Sequence, residues 1–485
     1  MMIMSDLLNR EPKAFFRYFK EISAIPRGSG NEKALGDYLV GFALSHNLEC
    51  TRDKVGNVLI RKPAFPSARV DDAVLIQGHM DMVCEKNVGT VHDFMKDPIK
   101  LVERDGFLYA QGTTLGADNG VAVAYMLAIL DDDSLLHPDL ECLFTVQEET
   151  GLIGAERFDA SPIRAKLMIN LDSGPDDTLL ISCAGGMRTH LTKTFACVPF
   201  SGEALRISVR GLAGGHSGDD IGKCRGNAIK LIGRVLLNLS EETAICLASI
   251  CGGGKDNAIP RECDAVIASA DPEAVQRIVG NLETIIKEEL GVKDGGVRLS
   301  CESCDMPSGM MDNRDSKELI ALLNLAPNGV LTMSPRMEGL VESSCNLGVI
   351  VTEGSEVTLT FAPRSSVESL QDDTQLKLEL LAKIFGCSYC HDSRYPGWQY
   401  EPQSKLREIF AQCYRELNGS TMKMEAIHAG LECGLIKAKK PVLDIVSTGP
   451  AIYDFHTPNE HLDLESCFRL WKLLKKVLGM LAGKV

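Results

Sequence analysis

At 485 residues the chain exceeds the size at which one hydrophobic core keeps growing, and at about 150 residues per domain the expectation is roughly two to four domains. Hydrophobic residues make up 45% and charged residues 24%, a globular balance that excludes wholesale disorder. The net charge of −15, with no basic block, excludes nucleic acid as a partner, because a phosphate backbone would be repelled.

The start, MMIMSDLLNREPKAFF, lacks the apolar core of a secretory signal. With 17 cysteines, an odd number spread along the chain, this predicts reduced thiols and a cytoplasmic location. From Pro12 to Asn47 apolar residues recur at helical spacing around the turn-forming stretch Pro26 to Asn31, which predicts two amphipathic helices. Strands follow at Ala73 to Ile76, Leu140 to Val146 and Leu167 to Leu171, each running into residues that can ligate or catalyse: His79, Glu148 with Glu149, and Asp172. Between the first two, Gly116-Ala117-Asp118-Asn119-Gly120 is a loop entering a buried helix. That helix holds the longest apolar run, Val121 to Leu130, which is far short of the roughly 18 residues of a membrane span. Alternating strands and helices predict an α/β sheet with its ligands at the carboxyl ends of the strands.

After Gly185-Gly186 the texture changes. Strand-like runs at Leu205 to Val209, Ala265 to Ala268 and Val357 to Phe361 predict an α+β insertion with a mainly antiparallel sheet, and no repeat of 20–50 residues is visible. Pro441 to Val446 is again a buried-strand pattern, leading through Gly449-Pro450 to His456, and a helix from about Leu464 closes the chain. The expected architecture is a discontinuous α/β domain with a mixed sheet flanked by helices, over 1–184 and 394–485, interrupted by a second, α+β domain over 185–393. Cys301/Cys304 and Cys387/Cys390 have zinc-ligand spacing, but unrelated thiols explain them more simply. Gly252-Gly253-Gly254-Lys255 lacks the following Ser or Thr of a phosphate loop.

His79 and Asp81, two apart at a strand end, project to one side, so the carboxylate can orient the imidazole while the other ring nitrogen binds a metal. Alone, such a pair also fits an ordinary histidine, and Asp118 alone fits a helix N-cap. Glu148 and Glu149 point in different directions, so one can ligate while its neighbour acts as a general base. Asp172 ends a buried strand, where a charge needs a partner. With His456 these residues suffice for two cations about 3.5–4 Å apart, bridged by a carboxylate.

The order His-x-Asp, Gly-Ala-Asp-Asn-Gly, Glu-Glu, Asn-Leu-Asp-Ser and a late histidine resembles the co-catalytic zinc exopeptidases of the aminoacylase and carboxypeptidase-like family. The longer segments GHMDMVCEKN, GTTLGADNG, GGHSG, NAIPRE, HAGLECG and HTPNE point to its dipeptidase branch, over about residue 20 to the C-terminus. The resemblance implies Asp118 as the bridging ligand, His79 and Asp172 on one metal, and Glu149 and His456 on the other. It implies two divalent ions per chain, zinc with cobalt or manganese as alternatives. Asp81 would orient His79, and Glu148 would be the general base. In the inserted domain His216 would help stabilise the oxyanion, commonly in a partner subunit's site, while Asn257 and Arg364 would bind substrate, Arg364 as a fork for a carboxylate. The implied activity is hydrolysis of unblocked dipeptides such as Xaa-His by a homodimer, with 1–184 and 394–485 as the catalytic domain and 185–393 as an inserted α+β lid and dimerisation domain. Removal of an acyl group from an amino acid by the same metals is the alternative. His428 and Glu432, four apart in HAGLECG, are expected to form a loop and helix start lining the pocket, the ligand set being already filled.

Overall fold

The computed structural model describes residues 9–69, 72–199, 202–305, 307 and 309–483. The chain divides into two compact units. Residues up to Cys183, Tyr400–Ala426 and those from Leu431 onward make the first, and Ala184–Gln399 with Ile427–Gly430 make the second. Ile427–Gly430 falls in the second because Ala184 donates its N–H to the carbonyls of Ile427 (3.1 Å) and Ala429 (3.0 Å), and His428 Nε2 lies 2.7 Å from Ser344 Oγ.

The first unit is built on an eight-stranded mixed sheet. Its centre is four parallel strands in the order Leu140–Thr145, Val74–His79, Leu167–Asn170 and Asp444–Ser447. All but the last are buried along their whole length, as strands covered on both faces must be. Antiparallel strands Val58–Lys62 and Glu49–Arg52 extend one side. The opening helix Lys13–Ser23 turns Phe15, Phe16, Phe19 and Ile22 inward, all fully buried, each contributing about 1.5–3 kcal/mol. Phe15 meets Tyr125 at 4.3 Å between ring centroids. Tyr125 lies in the helix Ala117–Asp131, which is buried on all sides from Val121 to Leu130. That helix packs so closely on the sheet that a side chain at Gly78 would collide with Ala122. A subsidiary four-stranded sheet, in the order Ile452–Tyr453, His461–Asp463, Phe107–Ala110 and Leu101–Arg104, carries the loop 454–460 between its first two strands. The His461 ring is stacked on Tyr109 at 4.9 Å and on Tyr453 at 5.1 Å.

The second unit has an internal symmetry that the sequence conceals. Glu203–Arg210, helix Ala228–Glu242, Ile245–Gly252, Cys263–Ser269, helix Pro272–Asp294 and Arg298–Ser303 form one β-α-β-β-α-β half. Gly185–Thr194, helix Asn313–Leu325, Val341–Glu353, Glu356–Ser365, helix Glu368–Phe385 and Ser388–Tyr395 form another of the same pattern. The first half is inserted between the first strand and first helix of the second. In the sheet each half is ordered fourth, first, third, second, and the two second strands pair antiparallel at Gly252 and Ile350. One buried cluster, from Ile207, Ile232 and Leu236 to Leu347, Phe361 and Leu378, runs through both halves. Among the described residues no helix is long and apolar enough to cross a membrane.

Candidate metal centre and its surroundings

The parallel strands deliver the candidate ligands to one edge of the first unit. His79 ends its strand, Glu148 and Glu149 lie just beyond Thr145, and Asp172 lies two residues beyond Asn170, at the carboxyl ends where open α/β sheets bind ligands. Asp118 does not cap its helix. The N-cap position is Gly116, and Asp118 and Asn119 leave the helical region, turning the Asp118 carboxylate toward two histidines. Its Oδ1 lies 3.1 Å from His79 Nε2 and its Oδ2 lies 3.2 Å from His456 Nε2. His79 Nε2 is also 3.5 Å from Asp172 Oδ1, and His456 Nε2 is 3.0 Å from Glu149 Oε1. Glu148 Oε2 stands off at 4.0 Å from His79 Nε2.

These spacings fit a pair of cations. Ligand atoms that share an ion at about 2.0–2.2 Å lie roughly 3.3–3.6 Å apart in a tetrahedral shell, and Asp118 offers one oxygen to each group. Three sets of side chains are close enough to hold an ion: His79 with Asp118 and Asp172, Asp118 with Glu149 and His456, and His79 with Glu148 and Glu149. None contains a cysteine among the described residues, so neither Cys-x-x-Cys pair takes part. His79 Nδ1 lies 3.2 Å from Asp81 Oδ1, the carboxylate–histidine arrangement that leaves Nε2 for a metal. Asp81 also accepts from the Ser29 hydroxyl at 2.8 Å and from the amides of Glu148 and Glu149 at 3.0 and 3.2 Å. One buried carboxylate therefore fixes both the imidazole and the turn that carries the two glutamates.

The electrostatics point the same way. Burial pushes the Glu148 carboxyl well up, with Asp172, Glu432 and Glu149 adding and His79 opposing. Burial, with Asp118, likewise raises Glu149, and burial, with Asp118 and Asp81, raises Asp172. Hydrogen bonds to Asp118 and Glu149 hold His456 protonated up to about 10. Without a cation this cluster takes up protons, and a bound cation supplies the missing positive charge.

Three residues outside the expected ligand set complete the frame. Glu460, almost fully buried, accepts the amides of Leu115 (2.8 Å), Gly116 (2.9 Å) and Asp118 (3.2 Å). Arg27, equally buried, donates to the carbonyls of Met80, Asp81 and Gly116. Glu432 accepts from Gln77 Nε2 at 2.5 Å and Thr145 Oγ1 at 2.6 Å, and burial pushes it up to about 7. Glu432 lies in HAGLECG, already expected to line the pocket, whereas Glu460 in HTPNE and Arg27 in the turn at Pro26 to Asn31 carry no mark of their partners. Neither His428 nor Glu432 belongs to a group close enough to hold an ion among the described residues.

The second unit holds the other expected residues. His216 lies in Gly215–His216, paired with Ala258–Ile259, and its Nδ1 accepts the Gly218 and Asp219 amides at 3.3 Å. Asn257 is exposed and its carbonyl accepts from the Ser217 amide at 2.9 Å. Arg364 donates from Nη1 to the Tyr395 hydroxyl at 3.2 Å, while its buried Nε has no hydrogen-bond partner among the described residues. The Asp219 carboxyl is held down by the nearby His216, whose Nδ1 lies 3.4 Å from Asp219 Oδ2, and then by the charge of Arg364.

Burial, with Arg364 and His216, lowers His428 to about 4. The unfolded chain takes up this proton below about pH 6.5, whereas the folded one resists until about 4. Stability is therefore expected to fall between these values as the pH drops, by about 3 kcal/mol. Denaturant titrations of wild type and His428→Gln check this, since the variant should lose that part of the slope.

The profile of Peptidase family M20/M25/M40 matches residues 75–479. The cytosol non-specific dipeptidase of Escherichia coli is 37% identical over 99% of this chain and 100% of its own length. The crystal structure of aminoacylhistidine dipeptidase from Vibrio alginolyticus superposes with a TM-score of 0.93 at 35% identity, covering 98% of each chain. Aminopeptidase PepT from Bacillus cereus, at 16% identity and a TM-score of 0.57 over 97% of this chain and 98% of its own, shares the fold. With most of its length matched by the profile and nearly all of it aligned to one relative, the chain belongs to peptidase family M20/M25/M40.

Proposed function

We propose that this chain is a cytoplasmic metallo-dipeptidase that hydrolyses unblocked dipeptides such as Xaa-His. The observation that carries the reading is the Asp118 carboxylate, one oxygen on each histidine, with Glu148 close by but outside both donor sets that Asp118 bridges. His79, Asp118 and Asp172 would hold one divalent cation, and Asp118, Glu149 and His456 a second. Zinc suits this nitrogen and oxygen set, with cobalt or manganese as alternatives. Bound there, the two ions supply Lewis-acid polarisation of the scissile carbonyl and a lowered pKa for the attacking water. Glu148 takes the proton of that water and returns it to the leaving amine. Asp81 holds His79 in one orientation and keeps Glu148 and Glu149 on their turn. His216 contributes a hydrogen bond to the developing oxyanion. Deacylation of N-acyl amino acids is disfavoured, since the full-length relatives are dipeptidases.

Arg364 and Asn257 would hold the substrate carboxylate. With Nη1 on Tyr395, the guanidinium keeps paired donors for a carboxylate fork, which an amide cannot match in charge. Wild type is expected to favour a dipeptide over its C-terminal amide by roughly 10–100-fold in kcat/KM, the worth of one charge-assisted hydrogen bond, and Arg364→Ala to narrow that gap. Similar kcat/KM for a dipeptide, its amide and a tetrapeptide would mark a broader aminopeptidase.

The reading includes a homodimer through the second unit, with His216 serving the partner's site. Mixing inactive Glu148→Gln and His216→Ala chains should then restore part of the activity. No recovery in verified heterodimers places His216 in its own chain's site or outside catalysis.

A further inference from the structure

We propose that Glu460 and Arg27 are positioning residues that set the backbone of the bridging ligand Asp118, and through it the pairing of the two metal sites. The inference rests on the two-metal reading above. Both side chains are only 2% exposed, and both act on the peptide groups just before Asp118. Glu460 Oε2 accepts from Leu115 and Gly116, and its Oε1 accepts from Asp118 itself. Arg27 takes the opposite end of the same peptide chain through the Gly116 carbonyl, and its other terminal nitrogen binds the carbonyls of Met80 and Asp81 at 3.0 and 3.2 Å.

The connections cover three parts of the centre. Arg27 ties the end of the strand that carries His79 to the loop that carries Asp118. Glu460 ties that loop to the segment 454–460, which also carries His456. The loop is built to accept this grip: Gly116 has φ +67°, and a Cβ there would come within 2.6 Å of Arg27 Nη2 and Met82 Sδ. Two opposite buried charges, each spent on backbone groups rather than on a ligand side chain, pin the approach to Asp118 from both sides. Glu460 needs both its oxygens for this. In Glu460→Gln the amide oxygen can still serve Leu115 and Gly116, but its NH₂ then faces the Asp118 N–H, donor against donor. The disturbance falls on the residue that bridges the cations.

The experiment uses full-length chain freed of metal by chelation and titrated with Co²⁺, followed by calorimetry and by the visible absorption of the bound ion. Glu460→Gln is expected to weaken at least one of the two sites by roughly 10–100-fold, the loss typical of removing an outer-sphere partner. Its kcat on a dipeptide should drop while KM stays close to wild type, and the Tm of the metal-free variant should stay near that of metal-free wild type. Two sites of wild-type affinity in Glu460→Gln overturn the proposal, as does a lowered metal-free Tm with unchanged affinity, which marks a merely structural role. If Glu460→Gln does not fold, hydrogen exchange on metal-free wild type decides. Protected amides at Leu115, Gly116 and Asp118 support a pre-set loop, and rapid exchange there overturns it. Because the metal titration needs no substrate, a wild type that binds two ions but cleaves no dipeptide overturns the proposed function and leaves this inference standing.

Discussion

Glu148→Gln is expected to retain both metals and to lose about 10²–10⁴-fold in kcat, the usual worth of a general base, or roughly 3–5 kcal/mol of barrier. The substitution preserves size and leaves His79, Asp118, Asp172, Glu149 and His456 untouched. The Glu148 amide bond to Asp81 Oδ1 is a backbone contact and survives. What disappears is a basic oxygen held 4.0 Å from His79 Nε2, and a neutral amide cannot accept a proton from water. KM should change little, since the base acts in the transition state rather than in holding the substrate ends. Metal analysis of the purified variant alongside dipeptide turnover checks the expectation. A metal-replete Glu148→Gln with full activity would remove Glu148 from the mechanism.

Asp118→Ala should do more damage than the loss of any other single ligand. Each set at the bridge consists of one histidine and two carboxylates, and Asp118 is the member common to both. Its removal leaves His79 with Asp172 and His456 with Glu149, two donors apiece. Affinity at both sites should fall by more than the roughly 10–100-fold that loss of an outer-sphere partner costs, and turnover should vanish with it. Chelation of wild type should reproduce the loss and added divalent ion should reverse it, with two ions bound per chain at saturation. An Asp118→Ala chain that still binds two ions at wild-type affinity, or a metal-free wild type with full activity, would contradict the bridging role.

The residues of the proposed metal site were legible because their signals are local. An apolar strand that breaks into His79, Glu148 or Asp172 announces both the strand and the end at which it stops. Glu460 and Arg27 gave no comparable signal, since their partners are backbone groups 345 and 89 residues away in the chain, and the side chains that mark a hydrogen-bonded loop do not reveal which loop. The strands Glu49–Arg52 and Val58–Lys62 escaped notice for a different reason. The first is largely exposed, and the second ends in Arg61 and Lys62, charges that read as surface. Both are buried, Arg61 by bonding Glu141 and Lys62 by bonding the Leu130 carbonyl at 2.9 Å. The twin halves of the second unit lay outside a search for repeats of 20–50 residues, because each half is longer and one interrupts the other.

That interruption predicts an order of folding. The strand Gly185–Thr194 must wait for Glu356–Ser365 before it has its neighbour, as in the pairing of Thr194 with Glu356, whereas the inserted half is contiguous in sequence and can close by itself. Once closed, it brings Cys197 and Val198 against Met311 and Met310 in a short antiparallel bridge at its neck. A gap of more than a hundred residues then behaves as a short loop. Logarithmic loop-closure entropy puts the saving at roughly 2 kcal/mol for a tenfold shorter loop. The nested half thus serves as a splint for the outer one, whose slow long-range pairings are met with their ends already held together.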